Sequence, residues 1–153
     1  MIQSYVLNKY LAKEFLKVVL NMTFTFFCLG FIINLFEEIN FFKDLDVSFY
    51  TPLMLSMFYV PSMTYNMFPF IILLAGIWFF RKIKKNDEII ALKVSGISNF
   101  SIITVPSFLS FLLGIFFILL VNPVTSTLVK KYETIKGNYE TQKHEYLASV
   151  NVN

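Results

Sequence analysis

Cysteine, histidine, tryptophan and arginine are each used once in 153 residues, as Cys28, His144, Trp78 and Arg81. A lone thiol builds neither a disulfide framework nor a metal cluster, and a cysteine in apolar surroundings is inert unless its pKa is lowered. His144 stands in a charged tail without cysteine or histidine at ligand spacing, so it is read as a solvated polar group. No stretch has the Gly-rich phosphate loop with its lysine and hydroxyl residue. The pairs Glu37/Glu38 and Asp44/Asp46 could be imagined as acid and base, yet adjacent carboxylates in an outer loop are normally solvated. No catalytic residue, metal site or cofactor is expected.

Charge is also scarce. Charged residues make up 15% of the chain against 56% hydrophobic and 18% aromatic, too apolar for a soluble surface. The composition is that of an integral membrane protein. Three runs reach the length of about 20 apolar residues that a helix needs to cross the hydrocarbon core: 15–36, 59–80 and 101–121. Each must be helical, because no water inside the bilayer can satisfy the backbone of an open strand. The first run has a basic flank, Lys9, Lys13 and Lys17, as a secretory signal does. Its apolar part is too long for a signal core, and Glu37 and Glu38 follow Phe36 where a small-x-small cleavage site would stand. It is read as a retained anchor.

Basic residues near the ends of spans mark the cytoplasmic side. Lys9, Lys13 and Lys17 precede the first span, and Arg81, Lys82, Lys84, Lys85 and Lys93 lie between the second and third. Both regions are expected to be cytoplasmic. Between the first two spans Glu37, Glu38, Asp44 and Asp46 outnumber Lys43, so that loop belongs outside. The tail from Pro123 belongs outside as well, although Lys130 and Lys131 argue mildly against it. Residues 1–14, with Tyr5, Lys9, Tyr10, Leu11 and Lys13, read as an amphipathic segment on the inner leaflet, where each basic residue contributes roughly 1 kcal/mol against anionic lipid.

The second span carries Pro52, Pro61 and Pro69, and proline removes a backbone donor and interrupts a helix. Leu53 to Tyr59 therefore reads as a short outer or re-entrant segment, with the continuous helix starting near Met63. Tyr65 and Asn66 put polar groups at its outer end, either as interfacial anchors or as the lining of a pathway.

The loop RKIKKNDEIIALKVSG, Arg81 to Gly96, is a charged helix-forming insert between two apolar spans. Asn86 or Asp87 is a good N-cap, Asp87 and Glu88 place negative charge in the first turn, and Gly96 is a natural stop. Ile89, Leu92 and Gly96 share one side, with Ile90, Val94 and Ile97 on the adjoining side. A helix this short is marginal alone. Two readings stay open: an interfacial connector with solvated charges, and a handle for a cytoplasmic partner. Three function classes remain in view: a transporter subunit, a small homo-oligomeric carrier or channel, and a noncatalytic scaffold. Lys17 and the amides of Asn21, Asn34 and Asn66 are a poor supply of intramembrane polar groups for a carrier.

The whole chain resembles the amino-terminal half of an LptF/LptG-type permease, the membrane subunit of the ABC transporter that exports lipopolysaccharide. The likeness lies in YVLNKYLAKEFL (Tyr5 to Leu16), FPFIILLAGIWFF (Phe68 to Phe80), DEIIALKVSGIS (Asp87 to Ser98) and VNPVTSTL (Val121 to Leu128). The third stretch is the most specific, for the family shows an acidic residue, an aliphatic run and a Gly-Ile/Leu-Ser ending there.

The resemblance implies an all-α membrane protein: three transmembrane helices, a short cytoplasmic coupling helix in loop 81–100, and the start of a periplasmic β-rich domain at the C-terminus. Glu88 would enter a groove on the cytoplasmic ATPase with Ile89 and Leu92 filling an apolar notch and Gly96 closing the helix. The implied partners are a cytoplasmic ABC ATPase dimer (LptB-type), a second LptF/LptG-type permease subunit, periplasmic LptC/LptA-type bridge proteins and lipopolysaccharide, with no nucleic acid. ATP hydrolysis would be the partner's. Family members have six spans with a jellyroll-like domain between the third and fourth, so the chain is expected to be partial. Residues 123–153 would then be a periplasmic extension, with EYLASVNVN (Glu145 to Asn153) alternating as the first strand of that domain. In the family the outer end of the first span contributes to binding the anionic lipid head. Here that end offers Asn34, Asn40 and Lys43 beside Glu37 and Glu38, where some relatives carry more basic residues, and this departure weighs against direct phosphate binding by this half.

Overall fold

The computed structural model describes residues 2–43, 45, 47–85, 90, 93, 94, 96 and 99–150, and among these it is all-helical with no strand. The helices are α1 (Ile2–Phe42), α2 (Tyr50–Asn66), α3 (Phe68–Lys85), α4 (Asn99–Phe116) and α5 (Asn122–Val150), with a π-helical turn (Phe117–Val121) joining the last two. The helices Asn8–Phe42 and Ile102–Lys143 are long and apolar enough to cross a membrane, and α2 with α3 makes a third span if that broken pair counts as one.

Helix α1 is a single 41-residue element, about 60 Å long at 1.5 Å per residue. The expected amphipathic segment 1–14 is not a separate piece. Nothing in the chain stops it: between Ile2 and Phe42 there is no proline and one glycine, Gly30, and the helix satisfies its own backbone where water is absent.

The interruption in the second apolar run lies elsewhere than expected. Helix α2 runs through Pro61 to Asn66, and the break falls at Met67 rather than near Met63. Pro69 explains the position. In a continued helix its ring would collide with the Tyr65 carbonyl and its missing N–H would leave that carbonyl unbonded. Restarting the helix at Phe68 puts Pro69 in the first turn, where no N–H is needed, and the ladder resumes with the Ile71 N–H donating to the Met67 carbonyl at 3.0 Å.

Pro123 acts in the same way on the π-helical turn. It lacks the N–H that would bond the Leu119 carbonyl, and the wider turn at Phe117–Val121 takes up the mismatch. Helix α5 then continues to Val150, so over residues 145–150 the expected strand is corrected to helix. Six alternating residues are a weak signal, and a helix bonds its own backbone where a lone strand cannot.

The chain divides into two compact units, Met1–Phe26 with Met67–Leu119, and Phe27–Asn66 with Leu120–Asn153. In the first, Leu11, Phe15, Val18 and Val19 of α1 pack with Phe68, Ala75, Phe79 and Ile83 of α3 and with Ile102 of α4. The spacings of three and four on α1 and α3 form the stripe that buries one face of each helix. Phe15 and Phe79 meet edge to face at 5.4 Å, and Phe68 stacks on Phe117 at 3.4 Å.

In the second unit α2 packs along α5, with Leu55 and Val60 buried. Gly30 of α1 marks a close approach to α2, since a β-carbon there would lie 3.5 Å from Met63 Sδ and 3.7 Å from Val60 Cγ1. Buried hydroxyls turn back on their own helix: Ser56 donates to the Pro52 carbonyl and Thr64 to the Val60 carbonyl, both at 2.9 Å. Neither of these two hydroxyls is left unpaired in its apolar setting.

Candidate functional site

Three groups of residues carry polar chemistry on this helical frame. The first is the connection between α3 and α4. Its expected contact residues Glu88, Ile89 and Leu92 lie outside the described residues. Around them Ile90, Lys93 and Val94 have helical backbone and exposed side chains, with Ile90 61% and Val94 84% exposed. Gly96 takes φ of 83°, the left-handed conformation that glycine adopts at a helix stop, and its N–H donates to the Lys93 carbonyl at 3.0 Å. Both apolar side chains, Ile90 and Val94, are open to the surroundings.

The second group is a clamp between α1 and α3. Glu14 is 8% exposed, on the same stripe as Leu11, Phe15 and Val18. A buried carboxylate is costly unless paired, and each of its oxygens receives an ammonium: Lys17 donates to Oε1 at 2.7 Å and Lys82 to Oε2 at 2.6 Å. The Lys82 contact joins two helices, whereas the Lys17 contact stays on α1. Charges at 2.6–2.7 Å with both oxygens engaged hold the basic end of α3 against α1.

The third group lies in the other unit, where α1 meets α5. Glu38 is 1% exposed, and its Oε1 accepts from the Tyr132 hydroxyl at 2.6 Å and from the Lys136 ammonium at 2.8 Å. Lys136 also donates to the Tyr132 hydroxyl at 2.6 Å and lies 4.8 Å from the Phe41 ring centroid. Lys143 caps the Phe41 carbonyl at 2.9 Å. Tyr59 packs on Tyr132 at 4.9 Å and Tyr139 on Phe42 at 5.2 Å. Cation, aromatic ring and carboxylate thus bind the last turn of α1 to α5.

The expectation that Glu37 and Glu38 are solvated loop carboxylates is therefore corrected. Both belong to helix α1, Glu37 is exposed, and Glu38 is buried because Tyr132 and Lys136 receive it. Of the residues expected at the lipid head, Asn40 and Lys43 are exposed while Asn34 is 2% exposed. These three do not share a surface. Among the described residues no donor reaches Asn34 Oδ1 or Glu38 Oε2.

Glu14, Tyr132 and Lys136 were not legible as site residues, though faint signals existed. Glu14 interrupts an apolar stripe at helical spacing, and Tyr132 and Lys136 stand four apart on one helix face. Their partners are 68 and 98 residues distant, beyond any local pattern. His144 and its neighbours to Val150 have described backbone, and their side chains lie outside the described set.

Long apolar helices with hydroxyls folded back on their own carbonyls define an integral, multi-pass membrane protein. Residues 9–148 match the family described as lipopolysaccharide export system permease LptF/LptG, and the chain belongs to that family. No curated protein and no solved structure matches the chain. Family and apolar helices together make it an inner-membrane protein with a role in lipopolysaccharide export.

Proposed function

We propose that the chain is a membrane permease subunit of an ABC transporter that extracts lipopolysaccharide from the inner membrane for delivery to the outer membrane. The observation that carries this reading is the family match over residues 9–148. In it the N-terminus and loop 81–100 face the cytoplasm and the tail from Pro123 faces the periplasm, as the lysine distribution expects. The chain works beside a second LptF/LptG-type subunit, above a cytoplasmic ATPase dimer and below periplasmic LptC/LptA-type bridge proteins. ATP is hydrolysed in the partner.

Coupling runs through loop 81–100. Glu88 enters a basic or polar groove on the ATPase, with Ile89 and Leu92 beside it, and Gly96 ends the segment. The exposure of Ile90 and Val94 supports this reading, because apolar side chains open to solvent gain from a partner's cover. The Glu14–Lys82 clamp supports it too: a push on the loop reaches α3, and α3 is tied to α1 at that end. Nucleotide-driven closure of the ATPase then moves helices rather than a slack connector. Of the outer-end residues Asn34, Asn40 and Lys43, the exposed Asn40 and Lys43 remain the proposed contacts to the lipid head.

The test is charge reversal at Glu88. Glu88→Arg is expected to abolish copurification of the ATPase with the membrane complex while insertion into the membrane is unchanged. Wild-type copurification in that variant would remove the docking role.

A further inference from the structure

At the same end of the first unit, α1 and α3 enclose an open groove of about 770 Å³. Its rim holds Lys17, Lys82 and Trp78, and its wall is apolar along Val18, Leu20 and Phe24 of α1. A second hollow of about 370 Å³ shares Trp78 and Lys82 and adds Arg81 and Lys85. Residues 78, 81, 82 and 85 follow helical spacing, so one face of α3 presents the indole and then three cations. Lys17 and Lys82 line the first hollow and Arg81, Lys82 and Lys85 the second, and among the described residues Glu14 is the one carboxylate paired with them, so basic groups are in excess.

We propose that this groove binds an anionic glycerophospholipid, its phosphate at Lys82, which lines both hollows, with Arg81 and Lys85 on one side and Lys17 on the other, and one acyl chain along Leu20 and Phe24. The ligand's chemistry follows from the lining. Arginine and lysine supply charge-assisted donors to phosphate oxygens. Trp78, 53% exposed, is the side chain that settles at headgroup depth with its ring against hydrocarbon. A free phosphate would use the cations and leave the apolar wall bare, so a lipid is the occupant that covers both.

Glu14 has a positioning role. By taking Lys17 and Lys82 on its two oxygens it holds both ammonium groups at the mouth of the groove, where an unpaired lysine would range widely. The site lies at the basic end of α3, apart from Asn34, Asn40 and Lys43, and its ligand is a resident membrane lipid rather than the exported one. In the orientation proposed above it belongs to the cytoplasmic leaflet, but the chemistry of the groove does not depend on that orientation.

Trp78 is the only tryptophan of the chain, and its fluorescence reports occupancy directly. The whole chain in mixed micelles is titrated with phosphatidylglycerol or with phosphatidylcholine, each brominated on the same acyl chain. The anionic lipid is expected to quench Trp78 at about tenfold lower mole fraction, the preference that one or two basic contacts supply. The double variant Arg81→Gln/Lys85→Gln, at exposed positions outside the core, is expected to remove the preference while helical circular dichroism is retained. Lys17→Gln is expected to weaken it severalfold. Equal quenching by the two lipids, or a preference that survives the double variant, overturns the proposal. Millimolar inorganic phosphate is expected to leave the quenching in place; reversal by phosphate overturns the lipid in favour of a small-anion site. The purified chain is used without ATPase, so the result stands or falls separately from docking at Glu88.

Discussion

The Lys136 ammonium lies 2.8 Å from the Glu38 carboxylate, although 98 residues separate them along the chain. Glu38 is almost fully buried, and Lys136 is its only cationic partner among the described residues. Removing the cation leaves a buried carboxylate with only the Tyr132 hydroxyl. Lys136→Met is expected to destabilise the protein by about 2 to 4 kcal/mol, read as denaturant or thermal unfolding in detergent. Adding Glu38→Gln to that variant should recover part of the loss, because the uncompensated charge is then gone. Additive losses in the double variant would show that the two groups do not act as a pair.

Glu14 makes the comparable link between α1 and α3. Lys82 is 40% exposed at its side chain, and solvent screens the pair, so Glu14→Ala is expected to cost about 1 to 2 kcal/mol, less than the Lys136 variant. Faster amide hydrogen exchange at the basic end of α3, with α5 unaffected, is the signature to measure.

Gly30 tests packing without charge. A methyl group there makes ordinary contact with Met63 and Val60, so Gly30→Ala is expected to change stability little. Gly30→Leu must displace Met63 or Val60 and is expected to cost about 1 to 3 kcal/mol. Equal melting temperatures for the two variants would mean that α1 and α2 are not closely packed at this point.

Gly96 is the one glycine with positive φ. Gly96→Val puts a β-branched side chain into the left-handed region, at a cost of about 1 to 3 kcal/mol. The strain should redirect the chain between α3 and α4. ATPase association measured by copurification is expected to fall severalfold while membrane insertion is retained; undiminished association would separate Gly96 from docking.

Much of the architecture was readable along the chain. Long apolar runs with prolines at a few places require helices, and the structure has helices there. Local rules reached the turn at Gly96, but they carried a continuous helix from Met63 through Pro69, where the structure breaks it at Met67. They failed where two local rules competed. Three prolines marked the second apolar run, and the helix tolerated Pro61 yet broke at Met67, two residues before Pro69. Alternation in 145–150 was outweighed by the continuity of α5, which bonds its own backbone without a partner strand.

Composition alone dictates that this protein lives in a bilayer as helices, because hydrocarbon offers no solvent for unpaired backbone and 15% charge cannot coat a soluble surface. The family motifs and the loop lysines are likewise written in consecutive residues. Which carboxylates are buried is not. Glu38 and Glu37 are neighbours of the same type, and one is sealed under Tyr132 and Lys136 while the other meets the surroundings. Helix packing makes that choice, for burial of a charge is tolerable only where a distant segment delivers its counter-charge.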